Sequence, residues 1–222
     1  MRVFLAFTMI LFHAILSANE SDTVFSDSYK ATYKLDLFRA FQGTIQISRE
    51  AILKNRLTYN LSIMGTYAST RGLAKPYLKA QDFNYKDAIQ NQTYKLDNVE
   101  ALGYGLNIQL RKYLSKSADP LTGYYMAPEL FYRYLSLTSN VMDYTTGNDR
   151  EVSKGLNLGY LGYMIGYQKI IRQVVAVDSY LGGGFFLSKY NDENNLTKYR
   201  NSYQIDYTGF YLNAGILIGI AN

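Results

Sequence analysis

Apolar and polar side chains alternate along most of this chain, and residues 208–220 show the pattern most clearly. One set of alternate positions is almost entirely apolar: Thr208, Phe210, Leu212, Ala214, Ile216, Ile218 and Ile220. The other set is mostly small or polar: Gly209, Tyr211, Asn213, Gly215, Leu217 and Gly219. A period of two predicts a β-strand with one oily face. At roughly ten or more residues, this strand is long enough to cross a bilayer at a tilt.

Seven earlier segments are also strand-like, which brings the predicted number of strands to eight. They are residues 30–38, 43–50, 57–67, 101–113, 123–137, 154–170 and 174–187. In an up-and-down barrel, pairing of the last strand with the first leaves no strand edge in lipid. The pattern therefore predicts an all-β fold, an eight-stranded antiparallel up-and-down transmembrane β-barrel over residues 29–222. Pro128 predicts a bulge or kink, and the glycines of 154–170 leave open which face of that strand points outward.

The connections between these strands alternate in length. Residues 70–98, 139–153 and 188–206 form three long, polar connections, and the connections at the other end are shorter. Outer-membrane barrels have short periplasmic turns and long external loops. We therefore expect the three long connections to face outward and to contact an extracellular ligand or protein that the sequence does not identify. The first of them also predicts a short hairpin or helix of its own.

The N-terminal residues have a different character. Arg2 precedes a short, largely apolar run, and small residues follow it. This order is typical of a secretory signal. It predicts a signal peptide over residues 1–18, cleaved between Ala18 and Asn19, and then a flexible lead-in over 19–28. The alternative is a membrane anchor or a buried first helix.

Composition excludes several kinds of chemistry. The chain has no Cys, no Trp and a single histidine, His13, which lies in the predicted signal peptide. Zinc and copper sites and the common catalytic triads depend on His or Cys. We therefore expect no enzyme activity, no metal and no cofactor. The net charge is +5, and the basic residues are scattered among acidic ones. This distribution predicts attraction to lipid head groups and not a nucleic-acid partner.

The strand parity places a set of polar residues on the inward face. They are Lys34, Asp36, Gln46, Glu50, Asn60, Asn107, Arg111, Glu129, Arg133, Asp178 and Asn213. An eight-stranded barrel has an interior that side chains can fill, and buried charges there must be paired. We interpret the set as a structural network that plugs the lumen. Two alternatives remain, namely an ion or proton path and a catalytic pair of Glu50 with Glu129 or Asp178.

Aromatic and glycine residues receive structural interpretations too. Six tyrosines fall near strand ends and are expected in interfacial girdles, with a sugar-binding or base-stacking surface as the alternative: Tyr29, Tyr67, Tyr113, Tyr124, Tyr134 and Tyr207. Residues 182–184 are three consecutive glycines inside a strand, without the Lys-Ser/Thr of a phosphate loop. We expect them to make room for Tyr180 or to allow curvature.

Three segments carry a resemblance to a known family. They are GTIQISRE at 43–50, GYMIGYQ at 162–168 and DSYLGGG at 178–184. With them, the region from about 29 to 220 resembles the small OmpA-type outer-membrane barrels of Bacteroidota, a domain-of-unknown-function family. Arg49 and the C-terminal Ile-Ala-Asn depart from the aromatic residues expected at those positions. The resemblance implies an eight-stranded outer-membrane barrel, folded by the barrel-assembly machinery, with no established activity.

The function predicted from these observations is a structural or surface-interaction role in the outer membrane of a Gram-negative bacterium. The first alternative is a narrow channel or transporter accessory, which a lumen without a closed charge network would favour. A membrane-embedded hydrolase and a soluble periplasmic barrel that binds a lipophile are the other two. A polar exterior around an apolar cavity would favour the soluble barrel.

Overall fold

The computed structural model describes residues 30–70, 74–78, 84–86, 93–95, 98–114, 119–142, 149–192, 195–197 and 205–222. The predicted signal peptide and the lead-in over 19–28 lie outside the described residues and stay predictions. Within the described part of the chain, no helix is long and apolar enough to cross a membrane.

Eight long antiparallel strands form one closed ring. They are β1 (Ala31–Asp36), β2 (Thr44–Lys54), β3 (Leu57–Ser69), β6 (Glu100–Tyr113), β7 (Gly123–Met142), β8 (Asp149–Ile171), β9 (Val175–Tyr190) and β10 (Gly209–Ala221). Their order around the ring is β1-β10-β9-β8-β7-β6-β3-β2. Each strand pairs with its neighbour along the chain, and β10 closes the ring on β1, from Thr32 opposite Ala221 to Asp36 opposite Leu217. This arrangement confirms the predicted all-β, eight-stranded antiparallel barrel.

The connections hold four short elements. Helix α1 (Leu37–Ala40) follows β1, and helix α2 (Lys75–Leu78) with a small hairpin, β4 (Asn84–Lys86) and β5 (Thr93–Lys95), lies between β3 and β6. The expected helix or hairpin in residues 70–98 is thus confirmed, since both are present. We name the end of the barrel with these elements the long-connection end, and the end with the β2–β3, β6–β7 and β8–β9 turns the short-connection end.

The alternation in sequence becomes an inside and an outside. Each of the eight strands points large apolar side chains away from the barrel axis, for example Leu35, Ile47, Ile63, Ile108, Leu130, Ile165, Leu181 and Ile218. The residues between them point inward and are buried. In β8 the even-numbered residues from 152 to 164 face inward, which resolves the facing that its glycines left open. Gly162 and Gly166 lie against the rings of Tyr160 and Tyr125, where a methyl group would overlap them.

One sequence expectation about β7 is wrong. Pairing of β7 with β8 continues to Met142 opposite Asp149, so much of the expected loop 139–153 is a strand hairpin. Inward-facing Val141 and Val152 are buried there, which explains why pairing continues.

The expected irregularity at Pro128 lies on one side of β7 only. The register with β8 runs unbroken through Pro128 opposite Tyr163. On the other side, pairing with β6 is interrupted between Glu129 and Met126, without a shift of register.

The expected tyrosine girdle is only partly right. Tyr67 and Tyr124 are exposed on the exterior and Tyr134 is half-buried, whereas Tyr113 and Tyr207 are buried. Tyr113 shares the inward parity of β6 and donates to Glu50 in the lumen. Tyr29 lies outside the described residues.

Closure of the ring depends on a close approach at Gly219, which yields a prediction. A methyl group there would overlap the backbone carbonyl oxygen of Tyr33 in β1, whereas a methyl group at Gly65 would meet no atom within 4 Å. Because the overlapped atoms belong to the backbone, Gly219→Ala is expected to lower the free energy of unfolding by about 1–3 kcal/mol or more.

The measurement is the urea concentration at which half of the detergent-folded barrel is unfolded, with the gel shift between boiled and unboiled samples as the readout of folding. Gly65→Ala is the matched control and should retain the wild-type midpoint. Equal midpoints for the two variants would contradict this packing of β1 against β10.

Candidate functional site

An ion-pair cluster crosses the lumen toward the short-connection end. Lys34 of β1 contacts Glu50 of β2 at 2.6 Å and Asp178 of β9 at 2.8 Å. Arg111 of β6 contacts the same two carboxylates, at 3.0 Å to Glu50 and 2.6 Å to Asp178. All four side chains are fully buried. Two positive and two negative charges therefore balance, and they join four strands across the barrel.

Hydroxyl and amide groups satisfy the remaining oxygens of this cluster. Thr58 and Tyr113 donate to Glu50 Oε1, at 2.6 and 2.9 Å. Tyr125 donates to Asp178 Oδ1 at 2.7 Å, and its ring lies 4.4 Å from the Arg111 guanidinium. Lys34 also donates to Gln168 Oε1 at 2.6 Å. Buried ion pairs are tolerated when such additional hydrogen bonds complete them.

The β6–β7 connection closes the lumen between the ion-pair cluster and the short-connection end. Asp119 accepts hydrogen bonds from the Leu121 amide at 3.0 Å and the Thr122 hydroxyl at 2.8 Å. This turn carries Leu121 into the barrel, where it is fully buried, and its carbonyl accepts from Gln168 at 2.8 Å. The connection and the cluster together leave this part of the interior filled.

A second polar layer lies around Glu129 of β7. Its carboxylate accepts hydrogen bonds from the side-chain amides of Asn107 at 2.5 Å, Gln109 at 3.2 Å and Asn213 at 3.2 Å. Asn60 donates to the Gln109 carbonyl at 3.2 Å. Among the described residues, no Lys or Arg lies within ion-pair distance of Glu129. The carboxylate is held by neutral amide donors instead.

A cavity of about 450 Å³ occupies the long-connection end. Aromatic side chains form much of its lining: Phe131, Tyr160, Tyr180, Phe186, Tyr207 and Tyr211. Two guanidinium groups, Arg39 of α1 and Arg133 of β7, also line it. They lie 5.0 and 5.6 Å from the centre of the Phe131 ring. The lumen is therefore filled and charge-balanced at one end and hollow, aromatic and basic at the other.

Arg133 has no anionic partner in the described part of the chain. It is 1% exposed, donates to the Thr44 hydroxyl at 3.2 Å and to the Tyr77 hydroxyl, and its Nε has no hydrogen-bond partner. Arg39 lies 3.7 Å from Asp36. That carboxylate also caps α1 through the amides of Phe38 and Arg39 and accepts from Tyr180.

The structure places all eleven residues of the predicted inward set inside the barrel, each 9% exposed or less. Glu50 and Asp178 share both cations of the ion-pair cluster, whereas Glu129 belongs to the separate amide layer. Gln46 donates to Ser62 at 3.3 Å. In the alternative of a catalytic pair, Glu50 and Asp178 would both have to act while each is bonded to Lys34 and Arg111. Among the described residues, no group of three or more His, Cys, Asp or Glu could hold a metal ion.

Sequence reasoning missed several lumen residues for identifiable reasons. Tyr113 and Tyr125 have the parity of Arg111 and Glu129, and parity alone would have placed them inside. Gln168 was hidden by the glycines of β8, and Arg39 lies in a helix outside the alternating pattern. Of the two roles expected for the glycines at 182–184, room for Tyr180 is wrong, because Gly215 is the residue that makes room for the Tyr180 ring. Gly182 and Gly184 approach the backbone of β8, and a role in curvature stays a prediction.

Comparison with known proteins gives distant structural likenesses. No family model matches the chain, and no curated protein matches it. The crystal structure of Acinetobacter baumannii CarO2 has a TM-score of 0.38 at 11% identity, covering 87% of this chain and 98% of that one. That of Acinetobacter baumannii CarO has a TM-score of 0.39 at 10% identity, covering 87% and 97%. The resemblance to the Bacteroidota family stays a prediction.

The ion-pair cluster makes a prediction about coupling. Asp178→Asn leaves Lys34 and Arg111 with one carboxylate between them, so the free energy of unfolding should fall by about 3–5 kcal/mol. Lys34→Met leaves the opposite imbalance. The double variant is neutral again, so its loss should be smaller than the sum of the two single losses, by about 1–3 kcal/mol.

Urea unfolding of the four proteins in one detergent or vesicle system measures this coupling. Arg49→Gln, which removes an exposed exterior arginine, is the control, and its loss should be well below that of either variant of the ion-pair cluster. Additive losses in the double variant would show that the four charges do not act as one unit.

Proposed function

We propose that this chain is a β-barrel of the outer membrane of a Gram-negative bacterium, exported by a cleaved signal peptide. In this proposal it acts as a membrane-anchored surface protein whose long connections carry its interactions. It has no enzyme activity and no open pore. The observation that carries the proposal is the closed ring of strands with large apolar side chains exposed on all eight of them.

The distribution of polarity favours lipid over water around this barrel. A soluble barrel hides apolar residues inside and exposes polar ones, and here Ile108, Leu130 and Ile218 are exposed while Lys34 and Arg111 are buried. In lipid, pairing around the ring, with β10 closed on β1 over residues 217–221, satisfies the backbone of the segments that it joins. These features support the membrane barrel over the alternative of a soluble, lipophile-binding barrel.

One charged residue of the exterior is consistent with this placement. Arg49 lies in contact with the phenol hydroxyls of Tyr33, at 3.3 Å, and Tyr59. Arginine and tyrosine side chains of this kind are typical of the level of the lipid head groups. In this proposal the short-connection end is periplasmic and the long-connection end faces the outside of the cell, because outer-membrane barrels have short periplasmic turns and long external loops.

The filled lumen disfavours the channel alternative. The ion-pair cluster and the buried Leu121 close the interior near the periplasmic end. An ion that crossed this region would have to separate fully buried charge pairs, which is costly in a low-dielectric interior. We therefore assign the interior a structural role and the long connections the interaction role. Their partner is an extracellular ligand or protein, and the barrel-assembly machinery is the partner during folding.

The topology is tested by labelling single cysteines, because the natural chain contains none. Asn195→Cys lies exposed in the β9–β10 connection, and Lys54→Cys lies exposed at the short-connection end. In intact cells, a maleimide that cannot cross membranes should label Asn195→Cys and leave Lys54→Cys unlabelled until the outer membrane is opened. Equal labelling of the two in intact cells would contradict the proposal.

The closed lumen is tested by conductance in planar bilayers. The purified, folded protein should give no steady current above the lipid background, because the ion-pair cluster leaves no continuous water path. The detergent-resistant, heat-modifiable form must be verified in the same preparation. Reproducible unitary currents from that form would favour the channel alternative instead.

A further inference from the structure

The wall of the barrel has a seam at its long-connection end. β1 stops at Asp36 and pairs with β10 only over residues 217–221. The earlier part of β10, residues 209–216, therefore has no strand on this side. Helix α1 fills the gap, and its turn exposes Leu37, Phe38 and Phe41 on the exterior. Both segments are fully described, and no backbone hydrogen bond joins residues 37–43 to residues 209–216.

The cavity at the long-connection end reaches this seam. Its lining includes Tyr211 and Asn213, which face inward, and also Leu212 and Ala214, which face outward. Leu212 is 68% exposed. Phe38 of α1 contributes from the other side of the seam. Lining by Leu212 and by Phe38 therefore puts this cavity, which we call the chamber, beside the edge of β10 that β1 leaves unpaired.

One backbone contact crosses the end of this chamber that lies toward the long connections. The amide of Ile205 donates to the carbonyl of Tyr77 at 3.2 Å, which joins the β9–β10 connection to α2. Both residues line the cavity. The described residues therefore offer the seam, which faces the apolar exterior, as a route into the chamber.

The chemistry of the chamber suits an anion attached to an apolar body. Its aromatic lining favours apolar contact, and Arg133 is a buried cation without an anionic partner among the described residues. The nearby Glu129 carboxylate is already held by three amides. A buried, unpaired charge is costly, and an arginine in this state forms strong hydrogen bonds to a carboxylate or phosphate.

We propose that this chamber binds a single-chain amphiphile with an anionic head group, a carboxylate or a phosphate, taken from the surrounding lipid through the seam. The head group pairs with Arg133 and Arg39, and the chain lies among the aromatic side chains and passes between α1 and β10. The cavity volume of about 450 Å³ falls within the range of about 300–1,000 Å³ typical of small-ligand sites. The route from lipid rests on the proposed membrane location.

The test uses single tryptophan reporters, because the natural chain has no Trp. Phe186→Trp places a reporter in the chamber, and Ile108→Trp places one on the exterior of β6. The proteins are reconstituted in nanodiscs and titrated with three brominated quenchers of matched chain length. These are a fatty acid, a lysophosphatidic acid and a neutral monoacylglycerol.

The chamber reporter should be quenched in a saturable way by one or both anionic amphiphiles at low mole fraction. The exterior reporter should be quenched only in proportion to the bulk concentration. Adding Arg133→Gln to the chamber reporter should raise the half-saturating mole fraction at least tenfold, whereas Arg49→Gln should leave it unchanged. The anionic quencher with the lower half-saturation identifies the preferred head group.

Either of two results would overturn the site. The first is no saturable quenching of the chamber reporter. The second is saturable quenching that is equally strong with the neutral amphiphile, or equally strong in the Arg133→Gln variant. Brominated bulk lipid separates this failure from a failure of the membrane proposal, because it quenches the exterior reporter only when the barrel lies in lipid.

The route is tested separately. A bis-maleimide clamp between Phe38→Cys and Leu212→Cys should slow quenching of the chamber reporter at least tenfold, and an unchanged rate would exclude the seam as the entrance.

Discussion

The charge balance inside the barrel is the constraint on which the rest of the structure depends. Eight strands enclose an interior that side chains must fill, and half of every strand points into it. Here Lys34, Glu50, Arg111 and Asp178 meet from four strands, with every charge paired and buried. Because each carboxylate bridges both cations, a shift of register in any of the four strands would separate charges that are paired here. The network therefore links closure of the sheet to the inward sequence pattern.

The two ends of the lumen use the same kinds of residue for different purposes. Toward the short connections, tyrosine hydroxyls and amides complete the ion pairs and leave no space. Toward the long connections, tyrosine and phenylalanine rings surround a cavity, and the hydrogen-bond partners of Arg133 among the described residues are hydroxyl groups. A network that serves stability alone would pair this cation with a carboxylate, as it pairs Arg111. The contrast between the two arginines supports the proposed binding role of the chamber.

The fold could be predicted from the sequence to a large extent, because alternation of period two shows which side chains of a strand face the exterior and which face the interior. Phe210 to Ile220 on the outside of β10 and the eleven polar residues inside follow from parity alone. Parity fails where glycine removes the signal, as in β8, and where a residue leaves the strand, as with Arg39. It also does not show that β1 is short. The seam and the chamber therefore could not be read from the sequence.

The most direct test of the membrane barrel is a spin-label accessibility scan of β10 in lipid vesicles. Single cysteines at residues 210 to 220 would carry the label, and collision rates with oxygen and with a water-soluble nickel chelate would be measured at each position. For a barrel in lipid we expect a period of two, with high oxygen and low nickel accessibility at the even-numbered positions and low accessibility to both at 213, 215 and 217. High nickel accessibility at the even-numbered positions, which would place Leu212, Ile216 and Ile218 in water, would contradict it.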